Sequence, residues 1–173
     1  MDKITFNFEN RTAVITGGAQ GFGFDIAKRF LNSGAKVIIW DNDPDTLKKS
    51  VKELNNTNLT SNVVDVSKFE EVENCTNEIV KNSNIDVLIN NAGAVWGEPL
   101  HKFSEDGWDK VMDLNVKSIF FMVQKFLDLL KKNTSSANPA RIINIGSIDG
   151  INTPYYENSV SYTHLTLPTI FAV

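Results

Sequence analysis

Residues 12–23 read TAVITGGAQGFG, that is Thr12-Ala13-Val14-Ile15-Thr16 followed by Gly17, Gly18, Ala19, Gln20, Gly21, Phe22 and Gly23. The first five residues are apolar or β-branched and short in extent, the pattern of a buried strand. Beyond them Phe22, Ile26 and Phe30 recur on one face of a helix over residues 22–32, with Gly34 just past its end. The glycines therefore join a strand to a helix. Gly17 permits the tight turn, Gly21 lets a backbone approach a pyrophosphate without an intervening Cβ, and Gly23 allows close packing of helix on strand. Exposed N–H groups and the helix dipole then hold phosphate. A glycine-rich turn alone also reads as a simple tight connection; the strand before it and the helix after it point to a nucleotide site.

Working outward, short apolar runs alternate with amphipathic stretches. Strands are expected at residues 36–40 (KVIIW), 60–64, 86–89 (DVLI) and 141–145. Helices are expected from Pro44 to about Asn55, with Asp43 as N-cap, over 68–82, and as one longest helix over 104–131. A loop rich in Gly and Pro, AGAVWGEPL, precedes that helix, and a polar linker over 133–139 follows it. The strands are nearly all apolar, as in a parallel sheet covered on both faces. Strict alternation of strand and helix makes the fold class α/β, a Rossmann-like doubly wound parallel sheet with helices on both faces.

The 173 residues, 42% hydrophobic and 22% charged, suit one soluble globular domain with a real core. The net charge of -4 argues against a nucleic-acid partner. No apolar run is long enough to span a membrane, and MDKITFNF lacks the apolar core of a secretory signal. The single cysteine, Cys75, permits no internal disulfide; it reads as a bystander in a reducing, cytoplasmic compartment.

Asp41 follows the second apolar run. A carboxylate there accepts hydrogen bonds from the adenosine ribose hydroxyls and repels a 2′-phosphate. Asp41 also reads as one more turn residue in DNDPD, but Asp43 already accounts for the helix cap. No Arg or Lys occupies the glycine loop or the turn after Trp40, so NAD is expected rather than NADP.

The spacing from Thr16 and Gly17 to Gly21 and Gly23 departs from the common GxGxxG. It resembles the short-chain dehydrogenase/reductase family of the classical type. Asn90-Asn91-Ala92-Gly93 follows the fourth strand as that family's NNAG does. Asn115 in MDLNVKS matches its active-site Asn, and Ser147 in INIGSIDG matches its catalytic Ser. Asp65-Val66 resembles the acid–apolar pair beside the adenine. The matches run in order over roughly residues 8–158. The residues themselves leave alternatives open. Asn90 is a ligand-facing amide or a strand-end turn residue, Asn115 a satisfied core amide or a member of a polar network, and Ser147 a functional or a plain loop serine.

The resemblance implies hydride transfer between a nicotinamide cofactor and the carbinol or carbonyl carbon of a small-molecule alcohol or ketone. Ser147 would hydrogen-bond the substrate oxygen and Asn115 would anchor a water. A tyrosine would pass the proton, with a lysine and the positive nicotinamide lowering its pKa. Gly17, Gly21, Phe22, Gly23, Asp41, Asp65, Val66, Asn90, Ala92 and Gly93 would bind the cofactor. A 3-oxoacyl thioester or a sugar acid is a plausible substrate by resemblance. Val95, Trp96, Asp149, Gly150 and the Tyr155-Tyr156 region are candidate pocket residues. A homodimer or homotetramer is implied, the long helix being a candidate oligomer face; core packing accounts for its apolar stripe equally well.

The resemblance breaks at the family's YxxxK. Tyr162 is followed by Thr166 where a lysine is required, and Pro168 interrupts any helix there. Residues 160–169, VSYTHLTLPT, translate GTCTCTTATACACATCTGACGCTGCCGACG, which resembles the end of a transposon-based sequencing-library adapter. The expectation is a domain over 1–158, incomplete at its C-terminus, with residues 159–173 a non-native tail and the chain an inactive fragment. Two other readings stand beside this one: a non-catalytic NAD-binding protein of the same fold, which the missing lysine favours if the tail is native, and a methyltransferase, against which NNAG, Asn115 and Ser147 weigh.

Overall fold

Strand β1 (Thr12–Thr16) is buried at every residue and lies at the centre of the sheet. The computed structural model describes residues 6–82, 84–132, 134–147 and 170–172. After β1 come α1 (Gly21–Asn32), β2 (Lys36–Asp41), α2 (Pro44–Leu54), β3 (Leu59–Val63), α3 (Phe69–Asn82) and β4 (Val87–Asn90). A 3-10 turn (Leu100–Lys102) leads into α4 (Glu105–Met112), a π-helical segment (Asp113–Lys117) and α5 (Ser118–Lys131); β5 (Arg141–Asn144) and β6 (Ile170–Ala172) complete the described elements.

The strand order is β3-β2-β1-β4-β5-β6. The first five strands in that order are parallel, with Val14 opposite Ile38 on one side and Leu88 on the other. This is the expected doubly wound sheet. The order reverses between β1 and β4, and a crevice therefore opens at the carboxyl ends of these strands, where such sheets place ligands.

Strand pleating sorts the core into two layers. Ala13, Ile15, Val37 and Ile39 pack beneath Ala27 and Leu31 of α1 and Leu47 of α2. Val14, Ile38, Trp40 and Leu88 pack against Val72 of α3 and Met122, Phe126 and Leu130 of α5. At the amino ends of the strands, Arg11 bonds Asp86 Oδ1 at 2.8 Å and also bonds Asn138, while Asp86 Oδ2 accepts from the Thr12 N–H at 2.9 Å. This clasp ties β1, β4 and the approach to β5 together on the side away from the crevice.

The structure departs from the expectations at two places. The helix expected over 104–131 is interrupted by the π segment, whose extra residue per turn carries Asn115. β3 is not an apolar buried strand: its sequence is LTSNV, and Val63 is 56% exposed because the strand lies at a sheet edge. Within the expected tail, residues 170–172 pair antiparallel with β5. The physical reason is that an uncovered strand edge presents unpaired backbone groups to any extended segment. Other element ends shift by only a residue or so.

Candidate functional site

The glycine loop leaves β1 with Gly17 at φ +62° and enters α1 through Gly21 at φ +55°. Both conformations suit glycine. The three glycines do different work. A Cβ on Gly23 would lie 2.1 Å from the Gly17 carbonyl oxygen, so α1 packs directly on the loop. A Cβ on Gly17 would lie 3.0 Å from Ala92 Cα, against the chain after β4. A Cβ on Gly21 would meet nothing within 4 Å, which leaves the helix entrance open. The N-cap of α1, Gln20, makes no side-chain cap bond, and its first turn holds no acidic residue. Its N–H groups and dipole are thus available to an anion.

A latch absent from the expectations holds this loop. Thr16 Oγ1 accepts from the N–H groups of Asn91 and Ala92, both at 3.0 Å. Asn91 Nδ2 donates to the carbonyls of Thr16 and Gly17, both at 3.0 Å. Asn91 therefore welds the NNAG turn to the glycine loop. Asn90, one pleat away, points elsewhere. Its Nδ2 donates to Asn144 Oδ1 on β5 at 2.8 Å, its Oδ1 is buried without a partner among the described residues, and the Asn90 carbonyl accepts from Ile145 N–H at 2.9 Å. Gly18, outside the expected set, also packs closely: a Cβ there would lie 2.7 Å from Ile39 on β2.

Asp41, 9% exposed, ends β2 with its carboxylate turned back to the loop. Oδ2 accepts from Ala19 N–H at 3.1 Å and Oδ1 from Asp43 N–H at 3.2 Å. Asp43 caps α2 as expected, accepting from the Asp45 and Thr46 N–H groups. Asp65 Oδ1 accepts from the N–H and hydroxyl of Ser67, and its own N–H donates to Glu71 at 2.8 Å. The Asp65-Val66 turn is thus rigid, with Val66 buried.

On the opposite wall, Asn115 is 4% exposed. Its Oδ1 accepts from Ala94 N–H and its Nδ2 donates to the Ala94 carbonyl, both at 2.8 Å. The loop beyond Ala94 is pinned again by Glu98, which accepts from the N–H and hydroxyl of Ser104 at 2.7 and 2.8 Å. Those bonds hold the Glu98 carboxyl below the usual glutamate range.

These elements enclose a cleft of about 410 Å³, within the usual range for small-molecule sites. Of the expected residues, Gly17, Phe22, Asp41, Asp65, Val66, Ala92 and Gly93 line it. Gly23 lies beneath it as packing, Asn115 supports its wall through Ala94, and Asn90 works within the sheet. Ser147 lies three residues past β5, half-buried and outside that lining. Phe22 stands 77% exposed at the mouth. Lys110 and Leu114 of the α4 region also line the cleft and were not foreseen; their four-residue spacing on a helix facing the expected site was the available signal. Asp149, Gly150, Tyr155, Tyr156, Tyr162 and Thr166 lie outside the described residues. Burial on α3, with Glu78 nearby, pushes the Cys75 thiol up to about 11, which makes it a poor nucleophile. Among the described residues there is no cluster of metal ligands, and no helix is long and apolar enough to cross a membrane.

Comparison with known proteins agrees with this geometry. A family model described as short chain dehydrogenase matches residues 11–163. The chain is 35% identical over 151 residues to the rhamnolipids biosynthesis 3-oxoacyl-acyl-carrier-protein reductase of Pseudomonas aeruginosa, covering 85% of this chain and 58% of that protein. It is 31% identical over 159 residues to the 2-dehydro-3-deoxy-D-gluconate 5-dehydrogenase of Bacillus subtilis, covering 89% and 61%. Among solved structures, the P. aeruginosa RhlG/NADP active-site complex superposes with a TM-score of 0.84 at 35% identity, over 91% of this chain and 62% of that one. A Brucella melitensis 3-ketoacyl-acyl-carrier-protein reductase complexed with NADH gives 0.79 at 28% identity, over 87% and 62%. The chain thus spans about 58% of the first of these curated relatives.

Proposed function

Because the chain belongs to the short-chain dehydrogenase family, we infer that its cleft binds a nicotinamide dinucleotide and that the protein transfers hydride between this cofactor and a secondary alcohol or ketone. The observation that carries the reading is the cleft itself, bounded by Gly17, Gln20 and Phe22 at the helix entrance on one side and the buried Asp41 carboxylate on the other. Each Asp41 oxygen accepts one backbone N–H and keeps lone pairs for the ribose hydroxyls. Asp65 and Val66 flank the adenine end, and Phe22 covers the cofactor from the mouth.

Asp41 favours NAD, since a 2′-phosphate beside a buried carboxylate is repelled. The similar solved structures include both an NADP and an NADH complex, so likeness alone leaves the choice open. The bound nicotinamide supplies the carbon that gives or takes hydride. The chain's own residues bind and orient. The Ser147 hydroxyl donates to the substrate oxygen. Asn115 holds Ala94 and with it the wall that excludes water. Among substrates, a 3-oxoacyl thioester or a sugar acid fits the names of the relatives. Exposed Trp108 and Phe120 on α4 and α5 favour a homo-oligomer.

Thr166 stands where the YxxxK pattern carries lysine, so this chain is expected to bind cofactor without turnover. The same residue favours, as second reading, a protein that binds NAD without catalysis. Titration of the 173-residue chain with NADH and NADPH tests both. NADH binding at least about tenfold tighter than NADPH, a difference of about 1.4 kcal/mol, is expected. Absence of binding by either nucleotide refutes the cleft assignment, and oxidation of an alcohol at ordinary enzyme rates refutes the loss of catalysis.

A further inference from the structure

The cleft has two carboxylates in its lining, Asp41 and Asp65, and a single cation among the described residues, Lys110. An anionic ligand entering it meets like charge on one wall. Lys110 stands on α4 one turn before Leu114, and both side chains reach the same cavity. No carboxylate among the described residues forms an ion pair with Lys110. Its ammonium instead lies 5.0 Å from the centre of the Trp96 ring. Such a contact places a cation without neutralising it.

Trp96 is itself seated. A Cβ on Gly107 would lie 2.4 Å from Trp96 Cδ1 and Nε1, so the indole fills the space that glycine leaves on α4. The loop bearing Trp96 is held before it by the Asn115 pair with Ala94 and after it by the Glu98 bonds to Ser104. The platform under Lys110 is therefore held from both sides.

We propose that Lys110 is a specificity-determining residue of the cleft: supported on the Trp96 indole, its ammonium meets the phosphate charge of the entering dinucleotide and offsets Asp41 and Asp65. This rests on the nucleotide reading of the cleft. The glycine loop, which lines the same cleft, supplies the pyrophosphate's backbone contacts, and Lys110 adds selectivity for charge to that grip.

The test titrates the full 173-residue chain and its Lys110→Ala, Lys110→Arg and Trp96→Phe variants with NADH, ADP and adenosine. Lys110→Ala weakens NADH and ADP about tenfold at low salt, the scale of one lost charge-assisted contact. Adenosine, which carries no phosphate, changes less than about twofold. At about 1 M salt, where the Debye length is about 3 Å, the difference between wild type and Lys110→Ala closes. Lys110→Arg restores most of the affinity, and Trp96→Phe, which keeps an aromatic platform, loses less than Lys110→Ala. Lys110 is exposed, so thermal melts of its variants match wild type. Equal binding of NADH by wild type and Lys110→Ala overturns the proposal, as does a loss for adenosine as large as for ADP, or a loss that salt leaves unchanged. Failure of the wild type to bind either NADH or ADP overturns the nucleotide reading and this proposal with it.

Discussion

Replacing Asp41 by alanine should disturb two things at once, and the structure separates their sizes. The carboxylate accepts from the N–H groups of Ala19 and Asp43. Ala19 is buried, so its N–H is left unpaired in Asp41→Ala, at a cost of about 1–3 kcal/mol. Asp43 lies in an exposed turn, where water replaces the lost acceptor for little. The expected loss is therefore about 2 kcal/mol, nearly all from one bond in the glycine loop. For a chain of this length that lowers the melting temperature by about 4–8 °C. Asp41→Asn keeps an oxygen for one of the two donors and should lose about 1 kcal/mol. Its effect on binding is larger than on stability: with the negative charge gone, the preference for NADH over NADPH should fall by about tenfold, or about 1.4 kcal/mol. Thermal melts and parallel titrations with both nucleotides read the two effects. If Asp41→Ala melts within about 1 °C of wild type, the carboxylate does not brace the loop. If Asp41→Asn leaves the nucleotide preference untouched, its charge does not select the cofactor.

Three further outcomes are expected. Gly23→Ala forces a Cβ to within 2.1 Å of the Gly17 carbonyl oxygen; a loss of about 3 kcal/mol in urea unfolding together with lost nucleotide binding should follow. Gly146→Ala, with nothing within 4 Å of the added Cβ, is the control, and a comparable loss there would sink the packing argument. Asn115→Ala strips Ala94 of both bonds to the side chain and should cost about 2–3 kcal/mol, with faster hydrogen exchange at the Ala94 amide; unchanged exchange would show that the wall stands without Asn115. Cys75, its thiol raised to about 11, is mostly protonated at neutral pH and gains thiolate only as pH climbs toward that value. Iodoacetamide labelling of the folded chain at pH 8 should run about a hundredfold or more below that of the unfolded chain, and equal rates would refute the burial argument.

Much of this was legible because local rules and the global fold agree. The strand-loop-helix over residues 12–23, the Asp43-Pro44 helix start and the alternation of strands and helices each follow from local chemistry, and each recurs in the structure. The division of labour within NNAG was not legible. Asn90 and Asn91 are neighbours with the same side chain, and only the pleat decides that one bonds β5 while the other grips the glycine loop. The helix over 104–131 hid its π segment for a similar reason: the extra residue per turn brings Asn115 to Ala94, a partner 21 residues away.

The glycine loop of residues 17–23 thus divides the two kinds of information. The sequence by itself determined that a strand meets a helix there, that the turn needs glycine, and that a carboxylate follows the next strand. These are consequences of backbone sterics and apolar periodicity, which act over a few residues. Only the tertiary structure decided which glycine packs, which stays open, and that Asp41, Asn91 and Thr16 hold the loop in place. Those contacts join residues distant in the chain, and their geometry follows from strand register and helix packing, quantities that no local pattern carries.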